Sequence, residues 1–238
     1  MYSFAKTQQE HEKIYEGTVQ AYHKIYERLG LGDFTYRTYA DGGIFTDKFS
    51  DEFQTLSDVG EDTIYVDETR KIAINKEIMT EEKRGVEVGN TFHLESKYTD
   101  ALDVYFTDDQ GQKQSIISGC YGIGISRLMG VIAEQFADEK GLVWPENITP
   151  FKVYLVQIGD TVKQARAVYK ALQEKGITVL WDDRDVRPGE KFADGELIGL
   201  PHRVVVSEKL DGQVEYSSRT GNEKEVLTVE ALLAKLGN

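Results

Sequence analysis

The sequence is poor in cysteine and in long apolar runs, and each shortage excludes a class of protein. One cysteine in 238 residues rules out an internal disulfide framework and fits a reducing compartment. The apolar runs are too short to cross a bilayer, and the first residues lack the layout of a signal peptide. We therefore expect a cytoplasmic protein with no membrane partner. Hydrophobic residues at 40% and aromatic residues at 11% indicate a packed core rather than a disordered chain.

Positive charge is also scarce, and it is unevenly distributed. The chain has 28 Lys and Arg against 41 Asp and Glu, a net charge of −13. Residues 151–238 contain 13 basic and 14 acidic residues, a balance of −1, which leaves 15 and 27, or −12, for residues 1–150. This excess of negative charge argues against non-specific binding of nucleic acid. A polyanion is expected to dock on the C-terminal part.

The first half of the chain predicts one long helix, several strands and a second helix. Thr7 and Glu10 form a capping-box pattern, and Gly30 is expected to end the first helix. The face expected to be buried consists of Ile14, Ala21, Ile25 and Leu29. The expected strands are TYRTYA, FQTLSD, DTIYVD, RKIAIN, NTFHLESKYT and DVYFTDD, followed by a hairpin turn at DDQGQ. This half predicts an antiparallel sheet with helices on one side.

The stretch ADEKGLVWPENITPF is the best domain boundary, since it contains two of the four prolines and no periodicity. After it the pattern alternates between strand and helix, with a capping box expected from Thr161 to Gln164, a stop at Gly176, and a loop at RPGEKF. We predict an α+β domain at residues 1–147 and a smaller α/β domain with a mixed sheet at residues 148–238.

The stretch GCYGIGISRLMGVIAEQ places three glycines, Gly119, Gly122 and Gly124, before a helix that carries Arg127 in its first turn. Alternate glycines leave one face of a strand bare for a flat ring, and an arginine at a helix start can bind a polyphosphate. The spacing fits neither a dinucleotide-binding fingerprint nor a P-loop. The alternative is that the glycines permit tight packing and that Arg127 is a surface charge.

Residues 119–153 resemble the third signature motif and the domain junction of bacterial prolyl-tRNA synthetases, which are class II aminoacyl-tRNA synthetases. The family pattern is close to G-C-Y-G-I-G-V-S-R, then E-Q, then G-x-x-W-P-x-x-I-A-P-F. The resemblance implies that Arg127 binds the γ-phosphate of ATP, accompanied by Mg²⁺, and is the catalytic residue of this chain. It also implies that Gly122 and Gly124 form the floor of the ATP site and that Gly119 and Cys120 line the proline pocket.

The same resemblance covers nearly the whole chain. It adds Tyr2, Glu52 and Phe92 to the implied proline pocket, although Phe92 could equally pack in the core. Departures from the family pattern are expected around that pocket. Thr46-Asp47-Lys48 replaces Gly-Gly-Ser, and three departures are single residues. Asp51 and Asn90 each replace a histidine, and Glu95 replaces a glycine.

Motifs 1 and 2 of the family are absent from this sequence, as is the editing insert. Motif 2 supplies the arginine for the α-phosphate of ATP, so the resemblance implies a C-terminal fragment or one half of a split protein. The expected partners are proline, ATP and tRNA(Pro), and either a second copy, as in a homodimer, or a complementing N-terminal segment. The rival hypothesis is a non-catalytic module that binds tRNA or serves as an accessory subunit.

The C-terminal segment, with DDR followed by RPGEKFADGELIGLPHRVVV, resembles the anticodon-binding domain shared by prolyl, threonyl, histidyl and glycyl enzymes. The resemblance implies that Glu196, Arg203 and Lys209 read the second and third anticodon bases, both guanine in proline tRNA, and that Lys191 is a further donor. Arginine and lysine can donate to guanine, and splayed single-stranded bases are read at their edges. The alternative is that these charges form ordinary ion pairs.

The remaining reactive residues carry no pattern of their own. The four histidines, His11, His23, His93 and His202, have no spacing that predicts a metal site, so no metal is expected. Cys120 has no base near it in sequence, and we expect it to be a pocket wall rather than a nucleophile.

Overall fold

The structure, a computed structural model, describes residues 1–76, 83–221 and 223–237. The chain divides into two compact units, Met1–Ile132 and Ala133–Asn238. Both units combine helices with sheets, which confirms the predicted fold class. The domain limits taken from the sequence, 1–147 and 148–238, stay predictions. Within the described residues, every helix is too short or too polar to span a membrane.

The first unit is built on a seven-stranded sheet in the order β1-β9-β6-β3-β2-β5-β4. Its strands, with the separate β7–β8 hairpin, are β1 Tyr2–Ala5, β2 Thr35–Ala40, β3 Ser50–Leu56, β4 Asp62–Asp67, β5 Ile72–Asn75, β6 Lys83–Glu95, β7 Tyr105–Thr107, β8 Lys113–Ser115 and β9 Ile117–Ile123. Its helices are α1 Gln8–Arg28, α2 Lys97–Ala101 and α3 Ile125–Phe136. The pairings are antiparallel, as predicted, except that β2 and β5 run parallel. The hairpin predicted at DDQGQ is confirmed.

Helix α1 covers one face of this sheet, but with a different side from the predicted one. Its N-terminal cap is confirmed, because the Thr7 hydroxyl accepts from the Glu10 amide at 3.2 Å. The C-terminal stop at Gly30 is confirmed by a positive φ of 76°. The buried face consists of His11, Tyr15, Thr18, Val19, Tyr22 and Tyr26. The predicted face was therefore wrong: Ile14 is 38% exposed, since tyrosine rings rather than aliphatic chains fill the space above the sheet.

The second unit is a mixed sheet between two layers of helix. Its elements are β10 Val153–Ile158, α4 Val162–Glu174, β11 Val179–Asp182, α5 Pro188–Ile198, β12 His202–Ser207, a 3-10 helix Glu208–Leu210, β13 Val214–Ser218, β14 Glu225–Leu227 and α6 Val229–Leu236. The strand order is β11-β10-β12-β13-β14, with β10 parallel to both neighbours. Alternate residues of β10 enter two cores, Leu155 on the side of Leu172 and Leu232, and Tyr154 on the side of Leu200.

Three local predictions were wrong. RPGEKF is not a loop, because Pro188 begins α5 and Gly199, at φ 75°, ends it. Thr161 caps α4 without a capping box, since its hydroxyl donates to the Ile158 carbonyl and the Gln164 amide donates to Gln213. The strand predicted over NTFHLESKYT stops at Glu95, whose φ of 52° ends the extended backbone before α2.

Candidate functional site

The alternation of strand β9 separates its residues into two sets. A side chain at Gly119 would meet the ring of Tyr121 and His11 on the side covered by α1. Ser118, Cys120 and Gly122 point to the opposite face, since successive residues of a strand alternate. Gly119 therefore faces α1, away from the proposed pocket, whereas Cys120 faces the pocket on the other side of the sheet.

Gly122 and Gly124 leave the open face of the sheet bare. A Cβ added to Gly122 would touch nothing within 4 Å, and one added to Gly124 would first meet Cβ of Arg127 at 3.2 Å. This is the floor that a planar ring needs, because backbone alone can be approached more closely than any side chain.

The neighbouring strands add the other predicted pocket residues to the same face. Asn90 lies opposite Gly122, and Phe92 lies opposite Cys120. In the next pairings, Glu52 lies opposite Asn90 and Tyr2 opposite Cys120. Directly paired residues of antiparallel strands share a face, so four strands bring these side chains together.

An apolar cleft of about 440 Å³ opens beside this floor. Its lining residues are Tyr2, Phe4, Phe45, Leu94, Tyr98, Thr99, Leu102, Val104, Ser118 and Cys120. Phe92 contacts Phe45 with ring centroids 5.1 Å apart. Tyr2, at the rim of the cleft, is 67% exposed. A ligand or another chain segment could therefore cover this apolar lining.

Arg127 stands at the edge of the floor, in the first turn of α3. Its Nη1 donates to the Glu87 carbonyl at 2.6 Å and lies 3.8 Å from the Glu87 carboxylate. The side chain is 54% exposed, so the rest of its guanidinium faces solvent. A planar fork of donors held in this way can bind phosphate oxygens.

Glu52 brings a desolvated carboxylate to the same face. Burial raises its pKa, and the negative charges of Glu87 and Asp62 add to the effect. The Gln54 amide donates to Glu52 at 3.0 Å and partly offsets the cost of its charge. A group of this kind favours a cationic ligand, such as the ammonium of an amino acid.

The three departures from the family pattern do not all lie on the open face. Asn90 does, at the register position beside Gly122. Asp51 is buried on the side of α1, where it accepts from Tyr15 at 2.9 Å and from Arg37 at 2.7 Å. Glu95 pairs with Lys48 at 2.5 Å. The expectation that all three surround the pocket was therefore wrong for Asp51, which holds α1 on the sheet, and for Glu95, whose carboxylate lies near His11 and His93 on the side of α1.

The second unit has its own cleft, of about 180 Å³, which brings Glu196 and Arg203 together. The Arg203 guanidinium lies over the Phe192 ring at 5.0 Å, and its buried Nε has no hydrogen-bond partner among the described residues. Sequence reasoning missed Arg219 and Lys224, which line the same cleft. The antiparallel return of β13 beside the start of β12 is what places them there.

Lys209 and Lys191 lie away from this cleft. Lys209 is exposed in the 3-10 helix after the far end of β12, whereas Arg203 lies near the start of that strand, about 13 Å from its last residue, Ser207. Lys191 is only 3% exposed, and its ammonium donates to the carbonyls of Gln157 at 2.7 Å and Asp182 at 3.2 Å. Because its donors are used inside the unit, Lys191 is out of reach of an RNA.

Comparison with known families gives one match in each half of the chain. Residues 1–136 match the family described as tRNA synthetase class II core domain (G, H, P, S and T), and residues 152–238 match the anticodon binding domain. The chain belongs to this class II tRNA synthetase family. A solved prolyl-tRNA synthetase from Cryptosporidium parvum, complexed with L-proline and AMP, has the same fold, with a TM-score of 0.76 over 99% of this chain and 48% of that one, at 20% identity.

Two of the similar curated proteins are named Proline--tRNA ligase. Proline--tRNA ligase of Sulfurihydrogenibium sp. is 45% identical over 160 residues, which is 65% of this chain and 28% of the relative. Proline--tRNA ligase of Persephonella marina is 46% identical over 156 residues, or 63% of this chain and 28% of the relative. The matched part of this chain thus spans less than a third of the length of these relatives.

Proposed function

We propose that this chain is part of a bacterial-type proline–tRNA ligase, working in the cytoplasm on proline, ATP and tRNA(Pro). The observation that carries the proposal is the bare floor of Gly122 and Gly124 with Arg127 at its edge, in a chain that is 45% identical to a proline--tRNA ligase over 160 residues. In the proposed reaction, a proline carboxylate oxygen attacks the α-phosphate of ATP and pyrophosphate leaves. The 3′ end of the tRNA then attacks the activated carbonyl and AMP leaves.

The first unit contributes binding and charge to this reaction. The adenine ring lies on the glycine floor, Arg127 holds the γ-phosphate, and Mg²⁺ enters with ATP as part of the substrate. Proline lies in the cleft between Tyr2, Phe92 and Cys120, with its ammonium toward Glu52. Catalysis of this kind rests on positioning and on stabilisation of developing charge, with no covalent enzyme intermediate.

The second unit reads the anticodon in the proposed complex. Arg203 and Glu196 line one cleft and present a donor and an acceptor, which is what the edge of guanine requires. Lys209, at the other end of β12, contacts a different nucleotide. Negative charge at the α-phosphate needs a further cation, which in the proposal comes from a second copy or from a complementing N-terminal segment.

The test is proline-dependent exchange between ATP and pyrophosphate, run on this chain alone and with the N-terminal part of a relative supplied in trans. We expect exchange upon complementation, reduced at least tenfold by Arg127→Ala and unchanged by Arg70→Ala, an exposed arginine paired with Asp67. Exchange that survives Arg127→Ala would remove Arg127 from the ATP site. A complex that forms but shows no exchange would contradict the ligase proposal.

A second candidate, a tRNA-binding module without catalysis, is favoured by one observation. Asn90, which replaces a histidine of the family pattern, lies opposite Gly122 on the open face, where the catalytic proposal places ATP and proline. Gel-shift titration with tRNA(Pro), and with a transcript carrying changed second and third anticodon bases, separates the two candidates. Anticodon-dependent binding together with no exchange supports the module.

A further inference from the structure

Two histidines that are 82 positions apart in sequence meet beneath the open face of the first unit. His11 lies in the first turns of α1 and His93 near the end of β6, with His11 Nε2 and His93 Nδ1 only 2.8 Å apart. The Glu95 carboxylate is close by, since one ligand atom from each of the three residues lies within 4.8 Å of the others. The fold thus creates a cluster for which the sequence spacing gave no sign.

His11 Nε2 and His93 Nδ1 face each other at hydrogen-bond distance, so one proton can lie between them. If that proton is present, one ring donates to the other. If it is absent, both lone pairs point into the same space, together with a carboxylate oxygen. Two imidazoles and a carboxylate are a common ligand set for zinc, with an open position for water.

The imidazoles are held in place by their surroundings. His11 is fully buried, and a Cβ at Gly119 would lie 3.0 Å from its Cε1, so the glycine makes room for the ring. His93 stacks on Tyr15 with ring centroids 3.6 Å apart, and the Tyr15 hydroxyl donates to Asp51. A site whose ligands are already positioned loses little conformational entropy when it binds an ion.

The cluster also carries strain at Glu95. This residue has φ 52°, in the left-handed region, and the pairing of β6 with β9 shifts register between His93 and Glu95. The family pattern has a glycine at this position, which adopts that backbone at no cost. A residue other than glycine is strained in this conformation, and such strain tends to persist at functional sites. Here the strain aims a carboxylate at the histidine pair.

Charges of both signs surround the cluster. Lys48 donates to Glu95 at 2.5 Å and so occupies the carboxylate in the structure. Glu12 and Asp51 add negative charge, the latter paired with Arg37.

We propose that His11, His93 and Glu95 bind one divalent transition-metal ion, with zinc as the favoured ion and water completing the shell. Ligand atoms of a tetrahedral zinc lie about 3.3 Å apart, so the two imidazoles need to open by roughly 0.5 Å. The ion displaces Lys48 from Glu95. It ties α1 to the end of β6, on the side of the sheet away from the glycine floor.

The test uses the full chain without an affinity tag, stripped of metal by a chelator and titrated with Co²⁺ and then Zn²⁺. We expect one Co²⁺ per chain with d–d absorption bands typical of a four- or five-coordinate ion, displaced by Zn²⁺. His93→Gln and Glu95→Gly each remove one proposed ligand, and each should weaken binding at least tenfold. His23→Gln, at a histidine outside the cluster, should leave binding unchanged.

Lys48→Met gives a change in the opposite direction. Because the lysine competes with the ion for Glu95, its removal should tighten binding about tenfold, a result that general loss of structure cannot produce. Circular dichroism checks that each variant folds, and Glu95→Gly removes backbone strain, so it is expected to fold even if His93→Gln does not. No stoichiometric Co²⁺ band, or the same affinity in Glu95→Gly, would overturn the proposal and leave a hydrogen-bonded histidine pair.

Discussion

At the scale of single residues, the side of the sheet on which a side chain lies decides what it can contact: Cys120 and Gly122 face the open side, whereas Asp51 lies on the side of α1. It was possible to predict that the glycines before α3 expose a strand face, because alternation along a strand is a local rule. It was not possible to see that Asp51 belongs to the side covered by α1, since that depends on which face the helix occupies. Tyr15 and Arg37, the partners of Asp51, are distant in sequence and meet only in the folded sheet.

Glu52→Gln should separate stability from function. Burial raises the pKa of the Glu52 carboxyl, so its charge is costly at neutral pH, and the neutral amide should stabilise the free protein by up to about 1 kcal/mol. The same change removes the proposed partner of the proline ammonium. Urea unfolding at pH 7.5 should show the gain, and exchange in the complemented complex should show a raised KM for proline. A variant that is both less stable and unchanged in KM would contradict this assignment of Glu52.

At the scale of elements, the glycines predicted the ends of helices correctly, whereas the capping-box pattern was right at Thr7 and wrong at Thr161. Gly30 and Gly176 end their helices as predicted, since a positive φ is needed there. Thr161 and Gln164 fit a capping box but bond elsewhere, because Gln213 offers an acceptor from another part of the fold. The buried face of α1 could have been predicted from Tyr15, Val19, Tyr22 and Tyr26, which recur at helical spacing. The tyrosine rings are apolar, although each carries a hydroxyl group.

Two glycines at the ends of α5 provide a matched pair for testing whether a positive φ is what requires glycine at a helix end. Gly199 has φ 75°, and an added Cβ would come closer to the Leu142 carbonyl oxygen than van der Waals contact permits. Gly199→Ala should therefore destabilise the second unit by at least about 2 kcal/mol. At Gly189 an added Cβ meets nothing within 4 Å, so Gly189→Ala should be neutral or stabilising by up to about 1 kcal/mol. Urea unfolding followed by the fluorescence of Trp144 and Trp181 measures both. Equal effects at the two positions would show that the end of α5 is not constrained in this way.

At the scale of the whole molecule, the order of strands along the chain predicted two kinds of sheet, and both are present. What the sequence could not provide is which distant strands pair. The parallel contact of β2 with β5 and the return of β1 to β9 are non-local, and no turn signal encodes them. The same non-local pairing places His93 against His11, which explains why a search for ligand spacing found no metal site.

The stability of the first unit should fall as the pH is lowered from 7.5 to 5.5. Burial is the main cause that lowers the pKa of His11, His23 and His93 below the ordinary 6.5. The unfolded chain therefore binds more protons than the folded one once the pH drops through about 6.5, and each pKa unit of difference costs about 1.4 kcal/mol. The raised pKa of Glu52 acts in the opposite direction at lower pH, so the Glu52→Gln background gives the cleaner measurement.

The two units can be followed separately in this experiment, because both tryptophans lie in the second unit, where His202 also has a pKa lowered by burial. Circular dichroism reports on the whole chain, and tryptophan fluorescence reports on residues 133–238 alone. With metal removed by a chelator, His23→Gln should flatten the pH dependence seen by circular dichroism and leave the fluorescence transition unchanged. If stability does not change between pH 7.5 and 5.5, these histidines titrate alike in the folded and unfolded states. Burial of these histidines would then carry no cost for the charged form.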